Sequence, residues 1–169
     1  MARIETTADV GRTRDIVGPG IVAGIAGAVV MGAVAMIVSA VNGTGFFTPV
    51  QLIGATYLGV DWANVAVWST ILGLVTHLAI GAAYGVLFVA LTRNIESMAA
   101  KIAAGLAYGA AVYLFMTFLV MPWANPVMYA TIDKGLFFLI HLAYGATLPV
   151  ALPMRRGAPT ARRREAPAR

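Results

Sequence analysis

Four long stretches without a single Asp, Glu, Lys or Arg constrain this chain more than anything else in it. They run roughly from Gly20 to Val41, Val67 to Leu91, Ile102 to Met121 and Leu136 to Leu152. A hydrocarbon core about 30 Å thick takes about 20 helical residues to cross. The first three stretches reach that length, and the fourth sits at the short end of the range. They do not alternate in the way barrel strands must, so helices are expected. Outside these stretches little is left: the chain is 60% hydrophobic and 11% charged, where a soluble domain carries about a quarter charged residues. The expected fold class is therefore an all-α membrane protein with four transmembrane helices.

The first stretch exceeds the apolar segment of a signal peptide, and a polar leader, residues 1–19, precedes it. It reads as a retained span. Basic residues set the orientation. Arg3, Arg12 and Arg14 lie in the leader, Arg93 and Lys101 between spans two and three, and Arg155, Arg156, Arg162, Arg163, Arg164 and Arg169 in the tail. Only Lys134 of the twelve basic residues falls on the other side, with all three tryptophans, Trp62, Trp68 and Trp123. This asymmetry predicts both termini in the cytoplasm. The tail, residues 153–169, is rich in Pro, Ala and Arg and cannot bury apolar surface, so disorder is expected there. Arg155, Arg156, Arg162, Arg163 and Arg164 suit attraction to anionic lipid. The net charge of +5 is spread over the flanks of spans rather than a nucleic-acid-binding face, so no nucleic acid partner is expected.

The chain also repeats itself. Ala23-Gly24-Ile25-Ala26 in span one matches Ala104-Gly105-Leu106-Ala107 in span three. Thr48-Pro49-Val50 and Asn125-Pro126-Val127 each open the loop that follows, where Thr or Asn at the N-cap with Pro behind it starts a helix. Short interfacial helices are expected near Pro49 to Leu58 and Pro126 to Thr131. His77-Leu78-Ala79-Ile80-Gly81 in span two matches His141-Leu142-Ala143-Tyr144-Gly145 in span four. Three matches in the same order suggest two tandem helical hairpins in one orientation.

His77 and His141 are the only histidines, at equivalent depth in apolar surroundings. Ionisable residues in such places face the bundle interior. On the same helical faces lie Gly73, Gly81 and Gly85 in span two and Gly145 and Pro149 in span four. Gly105, Gly109 and Tyr113 form a like stripe in span three, and Gly20, Gly24, Ala28 and Gly32 in span one. Small residues four apart let helix backbones approach closely. The plain reading of the histidines is interhelical glue, each bonded to a carbonyl or to Thr117, Tyr108, Tyr113 or Tyr144. The sharper reading makes His77 and His141 the two axial ligands of a haem b, with Gly81 and Gly145 leaving room for the macrocycle. A third reading is a small transporter using a histidine relay, although no intramembrane Asp, Glu or Lys supports it. A simple metal site is less suited, because zinc takes three or four protein ligands and no Cys or carboxylate lies at that depth. Asp133 and Lys134 read as a helix cap and an interfacial anchor. No hydrolase, zinc-protease, P-loop or dinucleotide fingerprint is present, so no enzyme is expected.

Ala28 to Met31, His-Leu-x-x-Gly-x-x-Tyr-Gly from His77 to Gly85, Gly105 to Pro122, and His-Leu-x-Tyr-Gly-Ala from His141 to Ala146 together resemble a family of small, uncharacterised bacterial inner-membrane proteins. The resemblance implies a four-span bundle in a bacterial cell membrane and carries no catalytic or binding residues to transfer. The expected role is a non-enzymatic accessory subunit or scaffold, surrounded by lipid and joined to a larger membrane complex or to copies of itself.

Overall fold

Apolar stretches in lipid have one economical solution, because a backbone without water must satisfy its own N–H and C=O groups. The computed structural model describes the backbone over residues 7–152 and the side chains over 14–152. The Arg-rich tail, with Arg155, Arg156, Arg162, Arg163 and Arg164, lies outside the described residues. Helices α1 (Thr7–Val41), α2 (Thr48–Leu58), α3 (Ala66–Thr92), α4 (Met98–Leu114), α5 (Met121–Ala124), α6 (Pro126–Thr131) and α7 (Lys134–Ala151) follow in order, with no strand among the described residues. A π turn, Phe115–Val120, joins α4 to α5, so that Met98–Ala124 is one continuous segment. Four segments are long and apolar enough to cross a membrane: Arg14–Val41, Ala66–Thr92, Met98–Ala124 and Lys134–Ala151. Large apolar side chains point outward along them, among them Val22, Val29, Ile37, Val75, Leu91, Leu119 and Leu139. Water would penalise that surface and lipid does not. The chain is an integral membrane protein.

Two boundaries differ from the sequence reading. The first helix starts at Thr7 rather than near Gly20, running straight through Pro19. Proline inside a helix removes one backbone bond, and the 34 other residues of this 35-residue helix outlast that local loss. Thr48 is not the cap of α2. Phe47 holds that position without a side-chain bond, and Thr48 Oγ1 donates to Thr44 O at 2.6 Å. Asn125 and Asp133 do cap as their residue types suggest, accepting from Met128 N at 2.9 Å and Leu136 N at 2.7 Å. Lys134 Nζ donates to Tyr129 O and lies 4.5 Å from the centre of that tyrosine ring.

Glycine decides how the helices meet. A Cβ added to Gly24 of α1 would collide with Gly81 O of α3, and one added to Gly85 with Gly20 O. The same holds between α4 and α7, where Gly105 meets Gly145 O and Gly109 meets His141 O. α1 also packs along α7, with Gly27 making room for the Tyr144 ring. Gly73 packs against Val50 O of α2, a loop helix rather than a span, and Gly54 of α2 meets Ser69 O in return. The seam between α3 and α4 is different. It is bridged by long side chains: Tyr108 OH donates to Tyr84 O at 2.7 Å, Tyr84 OH to Met116 Sδ at 3.1 Å, and Tyr108 packs on Phe88.

Candidate functional site

The loose α3–α4 seam and the loop helices leave space inside the bundle. A cavity of about 290 Å³ lies there, walled by all four long segments and by α2 and the second loop. α1 contributes Ala28, Met31 and Gly32. α3 contributes His77, Ile80 and Tyr84, and the π turn Met116 and Val120. α7 adds Phe137, Ile140, His141 and Tyr144, while Thr56 and Tyr57 of α2 and Met121 of α5 complete the wall towards the loops.

Both histidines therefore stand on the wall of one cavity. His77 Nε2–H donates to Ala28 O of α1 at 2.9 Å, as glue between helices. Gly32 gives the ring clearance, since a Cβ there would stand 3.3 Å from that nitrogen. His141 behaves otherwise. Its Nδ1–H donates to Phe137 O, one turn back on its own helix, at 2.7 Å. The reason is packing: the His141 ring is held edge-on by Phe137 at 4.3 Å and by Tyr113 at 5.7 Å between centroids. None of the hydroxyls named as partners bonds to a histidine. Tyr144 OH donates to Gly81 O at 2.8 Å, tying α7 to α3 across α1, and Tyr108 OH donates to Tyr84 O. Tyr113 supplies only its ring. Thr117 Oγ1 is fully buried without a partner among the described residues.

Each hydrogen bond also fixes a tautomer, because a carbonyl can only accept. The hydrogen sits on Nε2 in His77 and on Nδ1 in His141. The lone pair is left on Nδ1 of His77 and Nε2 of His141. The glycines beside the histidines serve helix packing, Gly81 against Gly24 and Ala28 of α1 and Gly145 against Gly105 of α4.

A family model described as "Family of unknown function (DUF6789)" matches residues 14–163. The chain belongs to this family. No curated protein and no solved structure matches it. For this DUF6789 member the match covers every described span and agrees with an uncharacterised family, as the motifs suggested.

Three features of the DUF6789 chain escape sequence reasoning. The first is Asn125, read there only as a cap. Its side chain is 4% exposed, and its Nδ2 donates to Leu52 O at 2.8 Å and Thr56 Oγ1 at 2.9 Å. It locks the second loop onto α2. The Asn-Pro pair signalled the cap, but nothing in the sequence names a partner 73 residues away. The second is the π turn, for which Met-Pro at Met121 and Pro122 is a signal in hindsight, since a proline N–H is missing one turn on. The third is the cavity itself, lined by methionines from four elements, Met31, Met116, Met121 and Met128.

Proposed function

We propose that the chain is a non-enzymatic, four-span accessory or scaffold protein of a bacterial cell membrane, with both termini in the cytoplasm. One observation carries this reading: most hydrogen-bond donors inside the bundle give their hydrogens to backbone carbonyls. His77, His141, Tyr108 and Tyr144 each donate to one, and so does Thr92, to Phe88 O. The bonds of His77, Tyr108 and Tyr144 cross between helices and hold them in register, while those of His141 and Thr92 stay within one helix. The tandem duplication is part of the same reading. It is supported by Gly24 meeting Gly81 in one half and Gly105 meeting Gly145 in the other, which are the same two motif positions. The partners fitting it are lipid and either a larger membrane complex or further copies of the chain. Extraction from native membranes in a gentle detergent, with an affinity tag on the chain, is expected to bring down a larger assembly. Recovery of free monomer alone contradicts the proposal.

The orientation has its own test. The chain has no cysteine, so single ones can be introduced at exposed loop positions on the two faces. Asn64→Cys is expected to react with an impermeant maleimide from outside the cell, and Asn94→Cys only after the membrane is opened. The reverse pattern contradicts cytoplasmic termini.

The haem alternative asks more of the site than this arrangement offers. The nitrogen that His77 would most easily turn to a metal, Nε2, is held by Ala28 O. Its Nδ1 adjoins Cγ, the ring carbon bonded to Cβ, where a macrocycle is crowded. Protein purified from its own host is expected to show no Soret band, before or after incubation with haem. A band lost in both His77→Ala and His141→Ala would restore that alternative. The relay alternative meets a similar difficulty, since Tyr84 and Tyr144 on the cavity wall, and Tyr108 bonded to Tyr84 O, already donate their hydrogens.

A further inference from the structure

The cavity goes beyond a scaffold. Its wall is mostly apolar, with the polar side chains of Thr56, Tyr57, Thr76, Tyr84, Asn125 and Tyr144 and two imidazoles, each of which has already given its hydrogen to a carbonyl. What both rings still offer is a lone pair, Nδ1 on His77 and Nε2 on His141, and neither atom has a hydrogen-bond partner among the described residues. A group entering the cavity meets acceptors there. A quinone, ketone or ester brings no hydrogen for these two lone pairs, and a pure hydrocarbon leaves them unmet as well. A hydroxyl satisfies one.

The rest of the wall narrows the choice. About 290 Å³ stands near the low end of small-molecule pockets, enough for one substituted ring rather than a fused system. Met31, Met116 and Met121 line it, and thioethers pack favourably against aromatic rings. Thr56 and Tyr57 of α2 stand at the loop end, where Tyr57 OH and Thr76 Oγ1 are 2.8 Å apart and pin α2 onto α3. α1–α3, α1–α7 and α4–α7 are closed by helix contact, the first and last through glycine. The side-chain-bridged α3–α4 seam is the open side, and Ile80 on the cavity wall is partly exposed. A lipid-soluble molecule can place a ring inside and leave its chain in the bilayer.

We infer that the cavity binds the phenolic ring of a lipid-soluble hydroquinone or phenol, whose hydroxyl donates to His141 Nε2. The same ring without a donor binds less well, because it buries an unmet acceptor.

The test uses the full chain in lipid nanodiscs and three probes of matched size: a decyl-substituted benzohydroquinone kept reduced under argon, its quinone, and its dimethyl ether. Saturable binding is measured by equilibrium dialysis, with empty nanodiscs subtracted. The hydroquinone is expected to bind at least tenfold tighter than both others. His141→Phe, which keeps a ring in the same packing, is expected to bring its affinity down to that of the ether. Ile80→Trp, which fills the cavity from the open side, is expected to abolish saturable binding while the melting temperature stays near that of the parent. If His141→Phe does not fold, Ile80→Trp decides. Equal binding of the three probes, non-saturable uptake matching empty discs, or hydroquinone binding unchanged in Ile80→Trp overturns the inference. Occupation by water alone would appear as the second of these.

Discussion

Replacing Gly145 by valine is expected to cost this bundle at least about 3 kcal/mol, at or beyond the upper end of ordinary overpacking. The position leaves no escape. An added Cβ meets Gly105 O first and the Gly109 backbone next, so the neighbour is another helix rather than the tip of a flexible side chain. α7 and α4 would have to part, and with them the Gly109–His141 contact. In lipid no hydrophobic force draws helices together, so that close packing is most of what holds the pair. Gly24→Val is expected to act alike, because the Cβ meets Gly81 O. Gly18→Ala supplies the control. It lies in α1 with nothing beyond its chain neighbours within 4 Å of an added Cβ, and exchange is expected to change stability by less than about 1 kcal/mol, the helix preference of alanine being offset by Pro19 next to it. Tryptophan fluorescence during SDS-induced unfolding in mild detergent reads the three variants side by side. Equal stability of Gly145→Val and Gly18→Ala would contradict the packing described.

Asn125→Ala is expected to be the most damaging change outside the spans, at about 2–4 kcal/mol. Three bonds go at once. The α6 cap on Met128 N is worth about 1 kcal/mol. Leu52 O keeps its helical bond but loses its link to the second loop, and Thr56 Oγ1 loses its donor, together at about 1–3 kcal/mol. Asn125→Asp separates the two contributions, since a carboxylate keeps the cap and cannot donate to Leu52 O. The loss is expected to be partial in protease susceptibility of the loops only if the cap dominates. A variant as resistant to proteolysis as the parent would mean that the two loops are not coupled through this side chain.

Much of the fold was legible because lipid leaves few solutions. Four uncharged stretches became four spans, and Asn125-Pro126 and Thr48-Pro49 marked both loop helices to within a residue. The glycine stripes told which faces pack, since a small residue every fourth position has few other uses in a span. They did not tell against what: Gly73 serves a loop helix, and Gly27, outside the stripes, serves a tyrosine ring. The start of α1 was missed because proline marks a helix boundary only on average, and here Pro19 sits inside. The candidate site was legible in part. Two histidines at matched depth do share one cavity wall, but their partners are not matched, with Ala28 O on another helix for one and Phe137 O on its own helix for the other. That difference comes from rings stacked around His141, which depend on how α4 lies against α7 and leave no trace in spacing along the chain.

All of this requires the outward apolar side chains of the four long segments to sit in hydrocarbon. The direct measurement is the state of the protein after membranes are washed with alkaline carbonate and then treated with detergent. The protein is expected to stay in the membrane pellet through the wash and to come into solution only with detergent. Release by carbonate alone, as a single monodisperse species, would contradict it.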